Sequence, residues 1–106
     1  MKKFLILFAA LLCLTGCGSK EETLTLNVYN WGEYISDGSE GTLNVNEEFE
    51  NYCRDELGIE VDVNYTTYAS NEDMYNKIKS GSASYDVVIP SDYMIQRMIN
   101  DELLQK

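Results

Sequence analysis

The sequence predicts an α/β fold in which a parallel sheet carries flanking helices in the order βαβαβα. Three observations lead to it. Between residues 24 and 100 the apolar residues switch three times from strand-like to helical spacing. Residues 85–89, Tyr-Asp-Val-Val-Ile, form a nearly continuous apolar run of the kind expected in a central strand of a parallel sheet. Polar caps and glycines punctuate the periodic stretches as they do where helices start and stop. Strands alternating with helices in this way imply right-handed crossovers. Ligands of such sheets bind beyond the carboxyl ends of the strands, where the strand order reverses.

The elements follow in order. Leu24, Leu26, Val28 and Tyr29 form the first strand, and a polar, aromatic loop runs from Asn30 to Gly41. From Asn46 to Leu57, Phe49, Tyr52, Cys53 and Leu57 recur at helical spacing, with Asn44 or Asn46 as cap and Gly58 as stop. Ile59, Val61 and Val63 then alternate with polar residues in a half-buried edge strand ending near Tyr65, followed by a turn from Thr66 to Ser70. Ser70 caps a helix carrying Met74, Tyr75 and Ile78 that stops near Gly81. The third strand ends at Pro90. Ser91 can cap a last helix, whose inner face is Met94, Ile95, Met98 and Ile99, while Asp92 complements its positive N-terminal end. Three strands with three helices give a sparse core for this architecture, so residues 24–106 read as a truncated unit with Met94 and Ile95 short of packing partners.

At the N-terminus, Lys2 and Lys3 precede an apolar run from Phe4 to Leu14 and small residues leading to Cys17, which is the pattern of an export signal. The run is shorter than the about 20 residues of a membrane-spanning helix. Leu14-Thr15-Gly16-Cys17 resembles the lipobox at which bacterial lipoproteins are cleaved and acylated. Residues 1–16 are therefore expected to be a signal peptide, Cys17 the lipidated first residue, and residues 17–23 a tether. Two acyl chains on Cys17 would supply the anchoring that one chain cannot, placing the protein outside the cytoplasm at a membrane surface.

Charge and cysteine usage narrow the partners. The net charge of the chain is −10, and loss of Lys2 and Lys3 with the signal takes it to about −12. That balance argues against nucleic acid and favours cationic ligands. Cys13 leaves with the signal and Cys17 carries lipid, so Cys53 stands alone and reads as a small buried hydrophobe. With no histidine and no paired cysteines, neither a metal nor a cofactor is expected. The acidic stretch from Glu47 to Glu56 reads as a solvated helix face.

Two segments carry candidate chemistry. After the first strand, Asn30-Trp31-Gly32-Glu33-Tyr34 sets the only tryptophan, a carboxylate and a tyrosine at a carboxyl end of the sheet. Aromatic faces attract a cation by about 0.5 to 2 kcal/mol, and a carboxylate accepts its charge-assisted hydrogen bonds. The same rings also suit plain packing of the loop. After the third strand, Pro90-Ser91-Asp92-Tyr93 reaches the same rim if the strand order is 2-1-3, bringing a hydroxyl and a ring.

Residues 26–34, Leu-Asn-Val-Tyr-Asn-Trp-Gly-Glu-Tyr, and 85–93, Tyr-Asp-Val-Val-Ile-Pro-Ser-Asp-Tyr, resemble segments of bacterial spermidine/putrescine-binding proteins. Gly58-Ile59-Glu60-Val61 and residues 68–74 resemble the same family. The resemblance implies a two-lobed, type II periplasmic-binding fold that closes on a polyamine, spermidine or putrescine, and delivers it to the permease subunits of an ABC transporter. It makes residues 24–106 the first part of lobe 1. It also implies that Trp31, Glu33 and Tyr34 face the ligand, joined by Ser91 and Tyr93, while the 36–42 stretch lengthens the first loop relative to the best-known members. A monomeric, non-enzymatic receptor is expected, and residues 17–106 alone should bind polyamine weakly or not at all, since Glu33 is their one convincing amine-facing acid.

Other readings use the same residues. A receptor of the same fold could take an iron complex or a sugar, and an anchored surface protein could bind a protein at the exposed aromatics. An enzyme finds less support, because the chain has no histidine, no Gly-X-Ser-X-Gly elbow and no glycine-rich phosphate loop.

Overall fold

The three strands form one parallel sheet in which the first lies between the second and the third, the 2-1-3 order that a shared rim requires. The computed structural model describes Gly18 and residues 20–106, so the expected signal peptide and Cys17 lie outside the described residues. Strand β1, Leu24–Trp31, pairs along its whole length with β2, Val61–Tyr68, from Leu24 opposite Val61 to Trp31 opposite Tyr68. Its upper half also pairs with β3, Val87–Val88.

The strands differ from expectation at their ends. Both β1 and β2 run further, through Asn30-Trp31 and Thr66-Thr67-Tyr68, because a full ladder between them outweighs the turn preference of asparagine and threonine. The third strand is shorter than residues 85–89 and lies at the sheet edge rather than its centre, with Val87 42% exposed. Its lower end stops because the Asp86 side chain replaces a ladder carbonyl: one carboxylate oxygen accepts from the Asn27 backbone N–H at 2.7 Å and from the Asn27 side-chain amide at 3.3 Å. Asn64 donates to the other end of the Asn27 amide at 2.9 Å, so a polar rung crosses all three strands.

The helices begin largely where the sequence places them. Helix α1, Val45–Tyr52, is capped by Asn44, whose side chain accepts from the Glu47 N–H, and it widens into a π turn, Cys53–Leu57, closed by Gly58 at φ +67°. Helix α2, Asn71–Lys79, starts on Ser70, whose hydroxyl accepts from the Asp73 N–H at 3.1 Å. Helix α3, Asp92–Asn100, departs from expectation: the Ser91 side chain makes no capping bond. The Ser91 carbonyl accepts from the Met94 and Ile95 N–H groups, and the Asp92 carboxylate accepts from the Tyr93 N–H at 2.7 Å.

The core lies between the sheet and the pair α2 and α3. Tyr29, Tyr68, Met74, Tyr75, Met94 and Met98 are buried together there, with Trp31, Ile78, Tyr85 and Val88 packed around them. Met94 has no exposed surface, contrary to its expected lack of packing, while Ile95 and Ile99 do stay exposed. Along β2, the π turn contributes buried Cys53 and α1 the Glu50 carboxylate, which accepts from the Val63 N–H at 2.8 Å and so covers the edge of β2. Glu50 is thus not part of a solvated face. The long loop folds on itself through a 3₁₀ turn, Ser39–Gly41, where the Asp37 carboxylate accepts from the Ser39 N–H; the Ser39 side chain, and then its N–H, hold Asp37 below the usual carboxylate range.

Candidate functional site

The carboxyl ends of β1 and β2 emerge side by side because Trp31 and Tyr68 are register partners. Trp31, Gly32 and Glu33 from one strand, with Thr67, Tyr68 and Ala69 from the other, line an open cleft of about 460 Å³. The Trp31 ring leans on the Tyr68 ring at 4.8 Å between centroids and 51° between planes. Tyr68 in turn meets Tyr29 edge-on at 4.8 Å, and Tyr29 stacks on Tyr85 at 4.1 Å. An aromatic ladder therefore runs from the core up to the rim, and Trp31 sits on its top step.

Tyr68 also ties this rim to the third strand, its hydroxyl donating to the Ile89 carbonyl at 2.5 Å, just before Pro90. Burial pushes the Tyr68 phenol up to about 12, with Tyr29, Tyr34 and Tyr65 adding to the shift, so the group stays neutral and keeps donating. On the opposite face of β1 the Asn30 side chain accepts from the Trp31 N–H at 2.7 Å, and beyond the strand Glu33 adopts a left-handed backbone at φ +58°. Tyr34 is 63% exposed and free of side-chain hydrogen bonds among the described residues.

Ser91 and Tyr93 leave the end of β3 and share a partner. The Asn71 side chain donates to Ser91 Oγ at 3.0 Å and to Tyr93 Oη at 2.9 Å, and accepts from the Ser91 N–H at 3.2 Å. The Tyr93 hydroxyl donates to Glu72 at 3.0 Å. The structure thus gathers the five residues singled out in the sequence into two groups. Trp31 and Glu33 line the cleft with Tyr34 beside them, and Ser91 and Tyr93 are fixed to the start of α2.

Sequence reasoning missed Tyr68 and Asn71. Tyr68 becomes visible once the first two strands are aligned from Leu24 and Val61, which sets it level with Trp31. Asn71 gives no signal beyond following a cap. Among the described residues no group of three or more histidines, cysteines, aspartates or glutamates is placed to hold a metal ion, and no helix is long and apolar enough to cross a membrane.

No protein-family model matches the chain. Individual relatives do. The spermidine/putrescine-binding periplasmic protein of Escherichia coli (strain K12) is 37% identical over 87 residues, which cover 81% of this chain and 22% of that protein. Spermidine/putrescine-binding periplasmic protein 1 of Haemophilus influenzae is 34% identical over 122 residues, covering all of this chain and 31% of the relative. Among solved structures, PotD of Streptococcus pneumoniae, a spermidine/putrescine ABC transporter substrate-binding protein, superposes with a TM-score of 0.53 and 40% identity over 74% of this chain and 21% of that one. The chain spans about a fifth to a third of the length of these relatives. The likeness seen in residues 26–34 and 85–93 therefore extends over most of the sequence, and the three-stranded α/β unit is similar, in sequence and in fold, to part of a spermidine/putrescine-binding periplasmic protein.

Proposed function

We propose that this chain belongs to the extracytoplasmic receptor of an ABC importer for polyamines, and that it contributes part of the first ligand-binding lobe. The observation that carries the reading is the cleft at the ends of β1 and β2, which Trp31, Tyr68 and Glu33 line together and where the two rings meet. A protonated amine gains from both, through the ring face and through charge-assisted hydrogen bonds. Tyr34, Ser91 and Tyr93 complete the amine-binding rim on this lobe, in the positions that the family resemblance assigns them. The protein acts without catalysis and as a monomer, presents its closed form to the permease subunits, and is held at the membrane by lipid on Cys17.

Calorimetric titration of spermidine and putrescine into the native exported protein, with residues 17–106 alongside, tests the ligand. Saturable binding that Trp31→Ala weakens by about tenfold supports the cleft assignment. A folded native protein that takes up neither amine sinks it. The anchor is tested separately, by fatty-acid labelling that Cys17→Ala abolishes. Label that survives the substitution would refute lipidation at Cys17.

A further inference from the structure

Asn71, the first residue of α2, is only 4% exposed, yet its side chain serves two candidate ligand groups at once. Chemistry fixes the direction of each bond. The Ser91 backbone N–H can only donate, so the amide oxygen must face it and the amide nitrogen must face the hydroxyls of Ser91 and Tyr93. An amide nitrogen only donates, and therefore both hydroxyl oxygens accept from Asn71. The Tyr93 proton is left to point elsewhere, and it goes to Glu72, whose carboxylate only accepts.

We propose that Asn71 and Glu72 are positioning residues: Asn71 holds the Ser91 and Tyr93 hydroxyl oxygens as acceptors, and Glu72 takes the Tyr93 proton, so that the Tyr93 oxygen turns a lone pair toward a cationic ligand. The proposal rests on the amine-receptor reading above. A protonated amine brings donors and no acceptor, so a hydroxyl whose proton pointed into the site would oppose it. Glu72 draws the Tyr93 proton out of the site, and donation to a carboxylate leaves the phenol oxygen a stronger acceptor. Glu72 is in this way a second acid of the lobe that acts through Tyr93 rather than by touching the ligand.

Two measurements decide it. In the labelled chain without ligand, the two side-chain amide protons of Asn71 should exchange slowly; Tyr93→Phe should speed one of them and Ser91→Ala the other, each by about tenfold. Exchange unchanged in both variants overturns the hydroxyl polarity. In the native protein, Glu72→Ala should weaken spermidine binding about threefold to tenfold, and should have no further effect once Tyr93 is phenylalanine. A full Glu72→Ala effect in the Tyr93→Phe background shows that Glu72 acts through space and overturns the relay. Asn71→Asp keeps shape and adds negative charge, yet should weaken spermidine binding because both hydroxyls then donate to the new carboxylate. Tighter binding overturns the proposal. Absence of any spermidine response in the native wild-type protein overturns the amine-receptor reading itself, while the amide exchange still decides the hydroxyl polarity.

Discussion

Under α2 and α3 the sheet is closed by six mutually buried side chains, three of them methionines, whereas along α1 only Cys53 is buried and Phe49, Tyr52 and Leu57 remain exposed. By strand alternation Asn30 and Tyr65 point away from the α2 and α3 side, and it is their buried Nδ2 and Oη atoms that find no hydrogen-bond partner among the described residues. The difference teaches where the rim gets its rigidity. Trp31 rests on Tyr68, and Ser91 and Tyr93 hang from Asn71, so these three candidate ligand groups are carried by the well-packed side.

The contrast can be broken most forcefully by truncation. Met94→Ala or Met98→Ala should cost about 2 to 5 kcal/mol in denaturant unfolding, because a fully buried side chain leaves a cavity. Phe49→Ala, on the open side, should cost less than about 1.5 kcal/mol, since that ring keeps 42% of its surface in water. Equal losses at Met94 and Phe49 would erase the distinction between the two faces.

Next in size is Tyr68→Phe, which removes the bond to Ile89 and should cost about 1 kcal/mol at neutral pH. The substitution also changes the alkaline limb. The folded phenol titrates near 12 against an ordinary value of 10.0, so its contribution is complete below pH 10 and is lost as pH rises from there toward 12. Unfolding measured across that interval should fall less steeply in Tyr68→Phe than in the wild type.

A smaller effect is expected at acid pH from Asp101, which accepts from Tyr75 and pairs with Lys79 at 3.2 Å. The Tyr75 hydroxyl, and then Lys79, hold its carboxyl below the ordinary 3.8, so its contribution is present above that value and is lost as pH falls through the depressed one. Asp101→Asn should flatten the acid limb of stability and, because the Tyr75 hydroxyl and then Asp101 raise Lys79, should also soften the loss at alkaline pH. Smallest is Glu33→Gly, which relieves a left-handed backbone and should shift stability by no more than about 1 kcal/mol. The same change should weaken spermidine binding in the native protein, separating the residue's conformational burden from its charge.

Much of this was legible from residue pattern, and the misses share a cause. The Ser70 and Asn44 caps and the Gly58 stop follow from local rules that tertiary contacts did not override, whereas strand order was legible only as a condition. Tyr68 escaped because β2 changes the face it buries. Val61 and Val63 mark one side as inward, whereas Thr66 and Tyr68, on the opposite parity, are covered at the upper end. Ser91 looked like a cap because its neighbours make a helix start, and only the packing of α2 against the β3–α3 turn brings Asn71 close enough to claim its hydroxyl. Glu50 read as solvated for the same reason, since its partner, the Val63 N–H, lies 13 residues away.

The polar rung formed by Asn64, Asn27 and Asp86 has a bearing on distant geometry. Each of its members stands four residues before a rim position: Tyr68, Trp31 and Pro90 in turn. A slip of one residue in any strand would break the rung and turn that strand's side chains to the other face. The rung therefore works as a spirit level about 13 Å below the cleft, keeping three independently delivered groups at one height. Changes to Asn27 would be felt at the mouth as misalignment between rings and hydroxyls, with every ligand-facing side chain still chemically intact.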